Sequence, residues 1–474
     1  MDKNYETVMG LEVHVELKTN TKIFCNCSTK FGGEPNTNVC PVCLGLPGAL
    51  PVLNEKVIDL AVMAGLATNC EITRVGKQDR KNYFYPDLGK GYQISQDDNP
   101  ICHNGYLDIE TSKGKKRIRI NRIHIEEDAG KLVHEENIGS LVDNNRASTP
   151  LIEIVSEPDL RSAEEVLAYL QKLRANLTYL DVSDAKMNEG SFRCDVNLSI
   201  REVGDEKFGT RVEMKNLNSF QSIQRAIEYE TARQIKAIEN GEEIFQETRG
   251  YSQDTKKTYS MRSKEDAADY RYLPDPDLMP IVITDDRIEE IKNNLPELPD
   301  ARKIRYIEEH GLSNYDSEQL ISSIEVANFF EETVKAGANP KSATNLIITE
   351  IFRLASPEDF DVKFSPVSFA EIIEFVDSGR INLGSAKKVI EILFGNPNKS
   401  PEEIVIEEDL EQINDITTLS QIIDEVLLRS EKAVNEYKSG KEKALQSIIG
   451  QVMGKTKGKA NPQLAIDILK EKLN

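Results

Sequence analysis

The sequence predicts an α+β protein in which a mostly antiparallel-sheet cradle domain is followed by a helical domain and a small helical tail. Three observations carry this reading. Up to about residue 290, short segments alternate apolar and polar side chains between turn residues. Leu295-Pro296-Glu297-Leu298-Pro299 then sets two prolines too close together for any regular element. Beyond them, apolar residues recur at helical spacing. For 474 residues, at roughly 100–200 per domain, the expected domains are 1–294, 295–400 and 401–474.

In chain order, residues 10–17 come first: Leu11, Val13, Val15 and Leu17 face one way, and Glu12, His14 and Glu16 the other. Period-two alternation places one face on a core and the other on water or a ligand. Residues 117–126 repeat the device, with a phase slip at Asn121-Arg122 that predicts a bulge. Residues 162–179 have helical spacing in Val166, Leu167, Leu170, Leu173 and Leu177, with Ser162 as the start. Residues 195–200 and 211–215 return to alternation. Helical patterns follow at 320–330, 343–352 and 369–376, then a polar break at 395–401, then helices at 419–426 and 444–453.

Cys25, Cys27, Cys40 and Cys43 form two close pairs separated by twelve residues. That is the spacing of a structural four-thiolate zinc knuckle, with disulfides or merely buried thiols as the alternative. No apolar run approaches the ~18 residues that span a bilayer, and residues 1–6 lack a signal-peptide stretch. A cytoplasmic protein with no membrane partner is the expectation.

The net charge of −21 argues, taken whole, against a polyanionic partner. Its distribution is uneven. Residues 436–474 hold eight lysines against four acids, a net +4, which leaves −25 on the rest. Lys455, Lys457 and Lys459 are the sharpest cluster, and residues 113–122 carry six basic residues and no acid. Such clusters are either solvated faces or phosphate contacts.

Familiar nucleotide motifs are absent. Gly450 with Gly454-Lys455-Thr456 is one residue short of a phosphate loop, and no G-x-G-x-x-G opens a helix. Polar strand faces rich in carboxylates take their place. Glu12 and His14 share a face, Glu126 and Glu127 follow His124, and Glu153 lies in the apolar run 150–155, where a charge needs a partner. Carboxylates with an imidazole suit Mg²⁺ or Mn²⁺; the alternative is ion pairs of Glu12 and Glu153 with Arg146 or Lys215. Residues 80–93 gather three cations with Tyr83, Phe84, Tyr85 and Tyr92, either a stacking surface or a packed aromatic corner. Arg249 and Arg271 have hydroxyl neighbours and suit phosphate contact, or pair with local acids.

These segments together resemble the GatB/GatE family, the B subunits of glutamyl/aspartyl-tRNA amidotransferases. The runs that carry the resemblance are 10–17, 25–54, 80–96, 124–131, 145–146 with 150–159, 189–199, 213–219, 246–249, 269–278 and 450–462. Leu273, Asp275 and Gly454 depart from the family pattern. The resemblance implies a cradle-shaped first domain and a YqeY-like tRNA-binding tail. It implies a carbon–nitrogen ligase with glutamine as amido donor: ATP phosphorylates the side-chain carboxylate of Glu-tRNA(Gln) or Asp-tRNA(Asn), and ammonia displaces the phosphate. It also implies an amidase subunit (GatA) that supplies ammonia, a small subunit (GatC) completing a heterotrimer, and misacylated tRNA as partner. By family position, Glu12, His14, Glu127 and Glu153 hold Mg²⁺ (or Mn²⁺) and are catalytic. Lys81, Tyr83 and Lys90 line the substrate or ammonia path, Cys25, Cys27, Cys40 and Cys43 bind zinc, and Lys455, Lys457 and Lys459 contact tRNA. The competing expectation is a non-catalytic, zinc-containing tRNA-binding scaffold.

Overall fold

The structure, a computed structural model, describes residues 4–135, 138–263, 269–357, 360–439, 441, 443–456 and 458–473. The chain divides into two compact units, Met1–Pro299 and Asp300–Asn474.

Among the described residues of the first unit, nine strands build the main sheet. In chain order they are β1 (Tyr5–Glu16), β2 (Glu71–Ile72), β3 (Cys102–Thr111), β4 (Gly114–Glu127), β5 (Pro150–Ser156), β6 (Phe192–Glu202), β7 (Val212–Lys215), β8 (Glu247–Ser252) and β9 (Lys257–Ser263). Their spatial order is β9-β8-β7-β6-β1-β5-β4-β3-β2, antiparallel throughout except for the parallel β7–β8 pair. Alternation decides which face is covered. Leu11, Val13 and Val15 of β1, Ile123 and Ile125 of β4, Ile152 and Ile154 of β5, and Cys194 and Val196 of β6 are all at most 2% exposed. They share one core with three helices, α1 (Glu55–Ala67), α2 (Ala163–Tyr179) and α3 (Phe220–Glu239). The helices cover one face of the sheet; the other face is polar.

The phase slip is a bulge as expected: Val155 pairs with Arg122 and Ser156 with Ile120, so Asn121 is the extra residue. It returns Ile123 and Ile125 to the core and sends His124 and Glu126 to the polar face. Ser162 caps α2 by accepting a hydrogen bond from the Glu165 N–H. Sequence pattern did not reveal α1 or α3. Seven of the thirteen α1 residues are buried, and a helix apolar nearly all round shows little periodicity.

The second unit is helical. Tyr306, Phe330, Ile347, Phe369 and Ile390 centre one core cluster, and Leu419, Ile423, Ile448, Val452 and Leu469 centre another. Helix Pro401–Glu407 starts with a Ser400/Glu403 capping box and sends Ile404 and Val405 into the first of these clusters. Residues 450–456, the short phosphate-loop lookalike, lie mostly within helix Lys443–Lys455 and form no loop. Among the described residues no helix is long and apolar enough to cross a membrane.

Candidate active site

The polar face gathers ionisable side chains because register, rather than sequence proximity, brings them together. His14 on β1 lies opposite Glu153 on β5 and Arg193 on β6. Glu153 in turn lies opposite His124 on β4, and Leu151 opposite Glu126. Directly opposed strand residues are close enough for side-chain contact. As a result one ligand atom each from His14, Glu126 and Glu153 lie within 4.8 Å of one another.

His14 Nε2 is 3.5 Å from Glu153 Oε2 and 3.6 Å from Glu126 Oε1. A second imidazole approaches from β4, with His124 Nε2 at 3.2 Å from Glu153 Oε2 and 3.7 Å from Glu126 Oε2. His124 Nδ1 is buried without a hydrogen-bond partner. Burial opposes charge on both imidazoles, but the two carboxylates outweigh it. His14 is raised above its ordinary value, and His124 is pushed up to about 9. Burial likewise disfavours the Glu153 carboxylate, and His124 and His14 reverse that, holding it well below the usual range.

Glu12, two residues along β1, belongs to a neighbouring group with Asp195 of β6 and Glu213 of β7. Lys215 enters this group, its Nζ 2.5 Å from Asp195 Oδ2 and 3.2 Å from Glu213 Oε1. Asn197 Nδ2 donates to Glu12 Oε1 at 3.0 Å. Glu12 is raised above the ordinary carboxylate value, first by burial and then by the charge of Glu153. Lys215 is also raised, since its acidic neighbours, Asp195 foremost, overcome the burial that disfavours its charge.

Glu127 is not brought into either group. Alternation turns it away from Glu126. It accepts from the Ile94 N–H at 2.9 Å and from Ser148 Oγ at 2.6 Å, and Lys90 pairs with it. Lys90 therefore sits on Glu127, between the rings of Phe24 and Tyr92. Lys81 and Tyr83 do reach the site: a cavity of about 210 Å³ is lined by His14, Glu126 and Glu153 together with Lys81, Tyr83 and Arg193. Lys81 Nζ lies 4.8 Å from the Tyr270 ring centroid and 5.7 Å from that of Tyr83. Arg193 is anchored by Asp128 at 2.8 Å. Beside them Glu16 is pushed up to about 8 by burial and by Asp128. The sequence reading missed Glu126, Asp195, Glu213 and Lys215 as site members. Two signals marked members of this set: the parity of His124 with Glu126, and the alternative that pairs Glu12 with Lys215, which the charge of Lys215 beside Glu12 bears out.

All seven cysteines are free of disulfides. Cys25, Cys27, Cys40 and Cys43 converge into a group that can hold a metal ion such as zinc. The Cys40 N–H donates to Cys43 Sγ at 3.1 Å. A hydrogen bond from Cys25 holds the Cys43 thiol down to about 5. Cys25 and Cys27 are raised in turn, by the hydrogen bond between Cys25 and Cys43 and by burial respectively; zinc binds sulfur as thiolate, so loading the group would release the protons these thiols hold.

In the second unit, Lys455 pairs with Glu425 and Lys459 with Asp409; Lys457 lies outside the described residues. Arg249, a candidate for phosphate contact, is instead tied to Glu247 at 2.6 Å and to Thr258.

A family model described as the GatB/GatE catalytic domain matches residues 7–289, and one described as the GatB domain matches residues 328–473. The chain is 55% identical over 476 residues to the B subunit of the aspartyl/glutamyl-tRNA(Asn/Gln) amidotransferase of Caldicellulosiruptor saccharolyticus, with 99% of each chain covered. It is 53% identical over 478 residues to the same-named protein of Carboxydothermus hydrogenoformans, again with 99% of each covered. The corresponding protein of Agathobacter rectalis is 53% identical over 475 residues, covering 99% of this chain and 100% of the relative.

Proposed function

The chain belongs to the GatB/GatE family, and from that premise we propose that it is the B subunit of a tRNA-dependent amidotransferase. In this reading it uses ATP to phosphorylate the side-chain carboxylate of Glu-tRNA(Gln) or Asp-tRNA(Asn), then amidates it with ammonia. An amidase subunit (GatA) releases that ammonia from glutamine, and a small subunit (GatC) completes the heterotrimer. The observation that supports this best is the single cavity in which His14, Glu126 and Glu153 face Lys81, Tyr83 and Arg193.

The chemistry asks for that combination. A substrate carboxylate oxygen bonds to the γ-phosphorus of ATP as the bridging oxygen leaves with ADP. Ammonia nitrogen then bonds to the acyl carbon, the carbon–oxygen bond to phosphate breaks, and nitrogen gives up a proton. The first step brings two anions together, so positive charge must be in place beforehand. Lys81 and Arg193, the latter anchored by Asp128, supply cations in the lining of the cavity. His14, Glu126 and Glu153 fit a hard divalent ion such as Mg²⁺ or Mn²⁺; when bound, that ion would screen phosphate charge. Glu12 extends the anionic face along β1, and Glu127 joins the donor set only by releasing Lys90. Tyr83, mostly buried, has its hydroxyl held in the neutral form by burial, then by the charge of Glu126, so it can hydrogen-bond ammonia without adding charge. Zinc at Cys25, Cys27, Cys40 and Cys43 would be structural. The tail would meet tRNA phosphates, with Lys455 and Lys459 exchanging their acidic partners for them.

The test is Glu153→Ala and, separately, Glu12→Ala in the assembled three-subunit complex. tRNA-dependent ATP cleavage should fall at least about 100-fold, while glutamine hydrolysis by the amidase persists. Unchanged ATP cleavage would leave a tRNA-binding scaffold as the better description.

A further inference from the structure

The cations around the candidate active site are held in two different ways. Arg193 is bonded to Asp128 at 2.8 Å, and Lys90 is paired with Glu127. Lys81 lines the same cavity as Glu126 and Glu153, yet among the described residues no carboxylate lies within ion-pair distance of it. Its surroundings are aromatic instead, with the Tyr270 ring centroid 4.8 Å and the Tyr83 ring centroid 5.7 Å from Nζ.

Tyr270 comes from a segment far along the chain, residues 269–277, that is strapped to the strand carrying Lys81, Asp79–Asn82. Leu273 and Pro274 pair with Arg80 and Asp79, and the Asp275 N–H donates to the Gln78 carbonyl at 2.9 Å. Arg80 bonds Asp275 at 2.8 Å and Asp277 at 2.9 Å. Closer to the ring, the Asn82 N–H donates to the Tyr270 carbonyl at 2.9 Å and Asn82 Nδ2 to the Arg271 carbonyl at 2.7 Å. Those bonds hold Arg271 at φ +44°, a left-handed conformation that a residue with a Cβ keeps only where its surroundings impose it. With the backbone so fixed, the Tyr270 ring is braced edge-to-face by Tyr83 at 5.9 Å and by Tyr272 at 6.0 Å. Arg271 was this segment's candidate for phosphate contact; the side chain that the fold brings to Lys81 is its neighbour, Tyr270.

A carboxylate partner fixes an ammonium and cancels its charge. An aromatic face fixes it through the quadrupole of the ring and leaves the charge uncompensated. The distinction matters where a substrate carboxylate must approach a triphosphate, because a cation already neutralised by a neighbour attracts little. We propose that Tyr270 is a positioning residue: its ring, braced by Tyr83 and Tyr272, holds the Lys81 ammonium at the cavity without neutralising it, so that the full charge faces the anion that reacts there. The inference rests on the amidotransferase reading above and deepens its assignment of Lys81.

The test compares Tyr270→Leu, which keeps bulk but removes the ring face, with Tyr270→Phe, which keeps the face, in the assembled complex. In Tyr270→Leu, kcat for tRNA-dependent ATP cleavage should fall about 10-fold, on the order of one desolvated cation–π contact, with KM for ATP and glutamine hydrolysis unchanged. Tyr270→Phe should recover most of that loss. Lys81→Met should cost more, and adding Tyr270→Leu to it should cost nothing further, because a residue that acts through Lys81 has no effect without it. An unimpaired Tyr270→Leu, equal losses in the Leu and Phe variants, or a full additional loss in the Lys81→Met background would each overturn the proposal. A readout independent of turnover is the ¹³C resonance of dimethyl-Lys81 after reductive methylation, identified as the signal missing from Lys81→Met. Ring currents should displace it upfield in the wild type and in Tyr270→Phe but not in Tyr270→Leu; the same position in all three overturns the proposal. If Lys81→Met cleaves ATP at the wild-type rate, or the wild-type complex cleaves none, the parent reading fails, and this resonance alone then decides whether Tyr270 holds Lys81.

Discussion

On one sheet face, Asp195 and Glu213 hold the ammonium of Lys215 beside Glu12, whereas Glu126 and Glu153 face the imidazoles of His14 and His124. Both groups solve the same problem, since carboxylates removed from water must be compensated. They solve it with different persistence. A lysine stays charged across the physiological range, so the first group carries a permanent counter-ion. An imidazole gives up its proton when something better arrives, and a metal ion that takes His14 displaces one. The difference separates a group built to keep its charge balance from one built to exchange it. Substitutions at three places test that distinction.

The largest effect is expected at Lys215. Lys215→Met leaves Glu12, Asp195 and Glu213 together without their cation; breaking a fully buried pair costs about 3–5 kcal/mol, and with the Lys215 side chain 32% exposed the loss should fall below that, at about 1–3 kcal/mol. Urea unfolding of the complex should show this loss, and millimolar Mn²⁺ should recover part of it by taking the vacated place. Wild-type stability in the variant would mean that the ammonium is not what holds the three acids together.

Next comes the choice between adjacent glutamates. Glu126→Gln removes the negative charge of one of three oxygen or nitrogen donors, and Mn²⁺ affinity, followed by electron paramagnetic resonance, should drop by at least about 10–100-fold, the cost seen even for partners behind the ligands. Glu127→Gln should leave that affinity in place while loosening Lys90, whose partner it removes. The opposite ranking would show that Glu127 swings into the site and that Lys90 is its latch.

Those two glutamates also show how far a sequence can be read. Alternation already put His124 and Glu126 on one face, with Ile125 on the other, and the bulge at Asn121 was visible as a phase slip. Family position pointed instead to Glu127, which the strand turns toward Ile94 and Ser148. The four cysteines were legible because a knuckle is local in sequence. Of the group at Lys215 only the possible pairing with Glu12 was legible; Asp195 and Glu213 were not, because the three acids come from three strands and the register that joins them is set by tertiary packing. The tail lysines illustrate the same limit: their partners, Glu425 and Asp409, lie 30 and 50 residues away, on segments whose approach no local pattern encodes.

The smallest effect, and the one that bears most directly on exchange, belongs to His124. Its Nε2 sits 3.2 Å from Glu153, and with its proton held up to about 9 it is a cation at neutral pH. A resident cation competes with a divalent ion for the same carboxylate. His124→Asn should therefore raise Mn²⁺ affinity at pH 7, by up to about 10-fold, on the order of one charge-assisted hydrogen bond. The sign follows from protonation. Below about pH 9 the wild-type imidazolium opposes the ion, so the variant binds more tightly; above it the wild-type ring is neutral and the two affinities converge. A variant that binds Mn²⁺ more weakly than the wild type at pH 7 would mark His124 as a support for the ion instead of a placeholder for it, and the contrast with Lys215 would then rest on His14 alone.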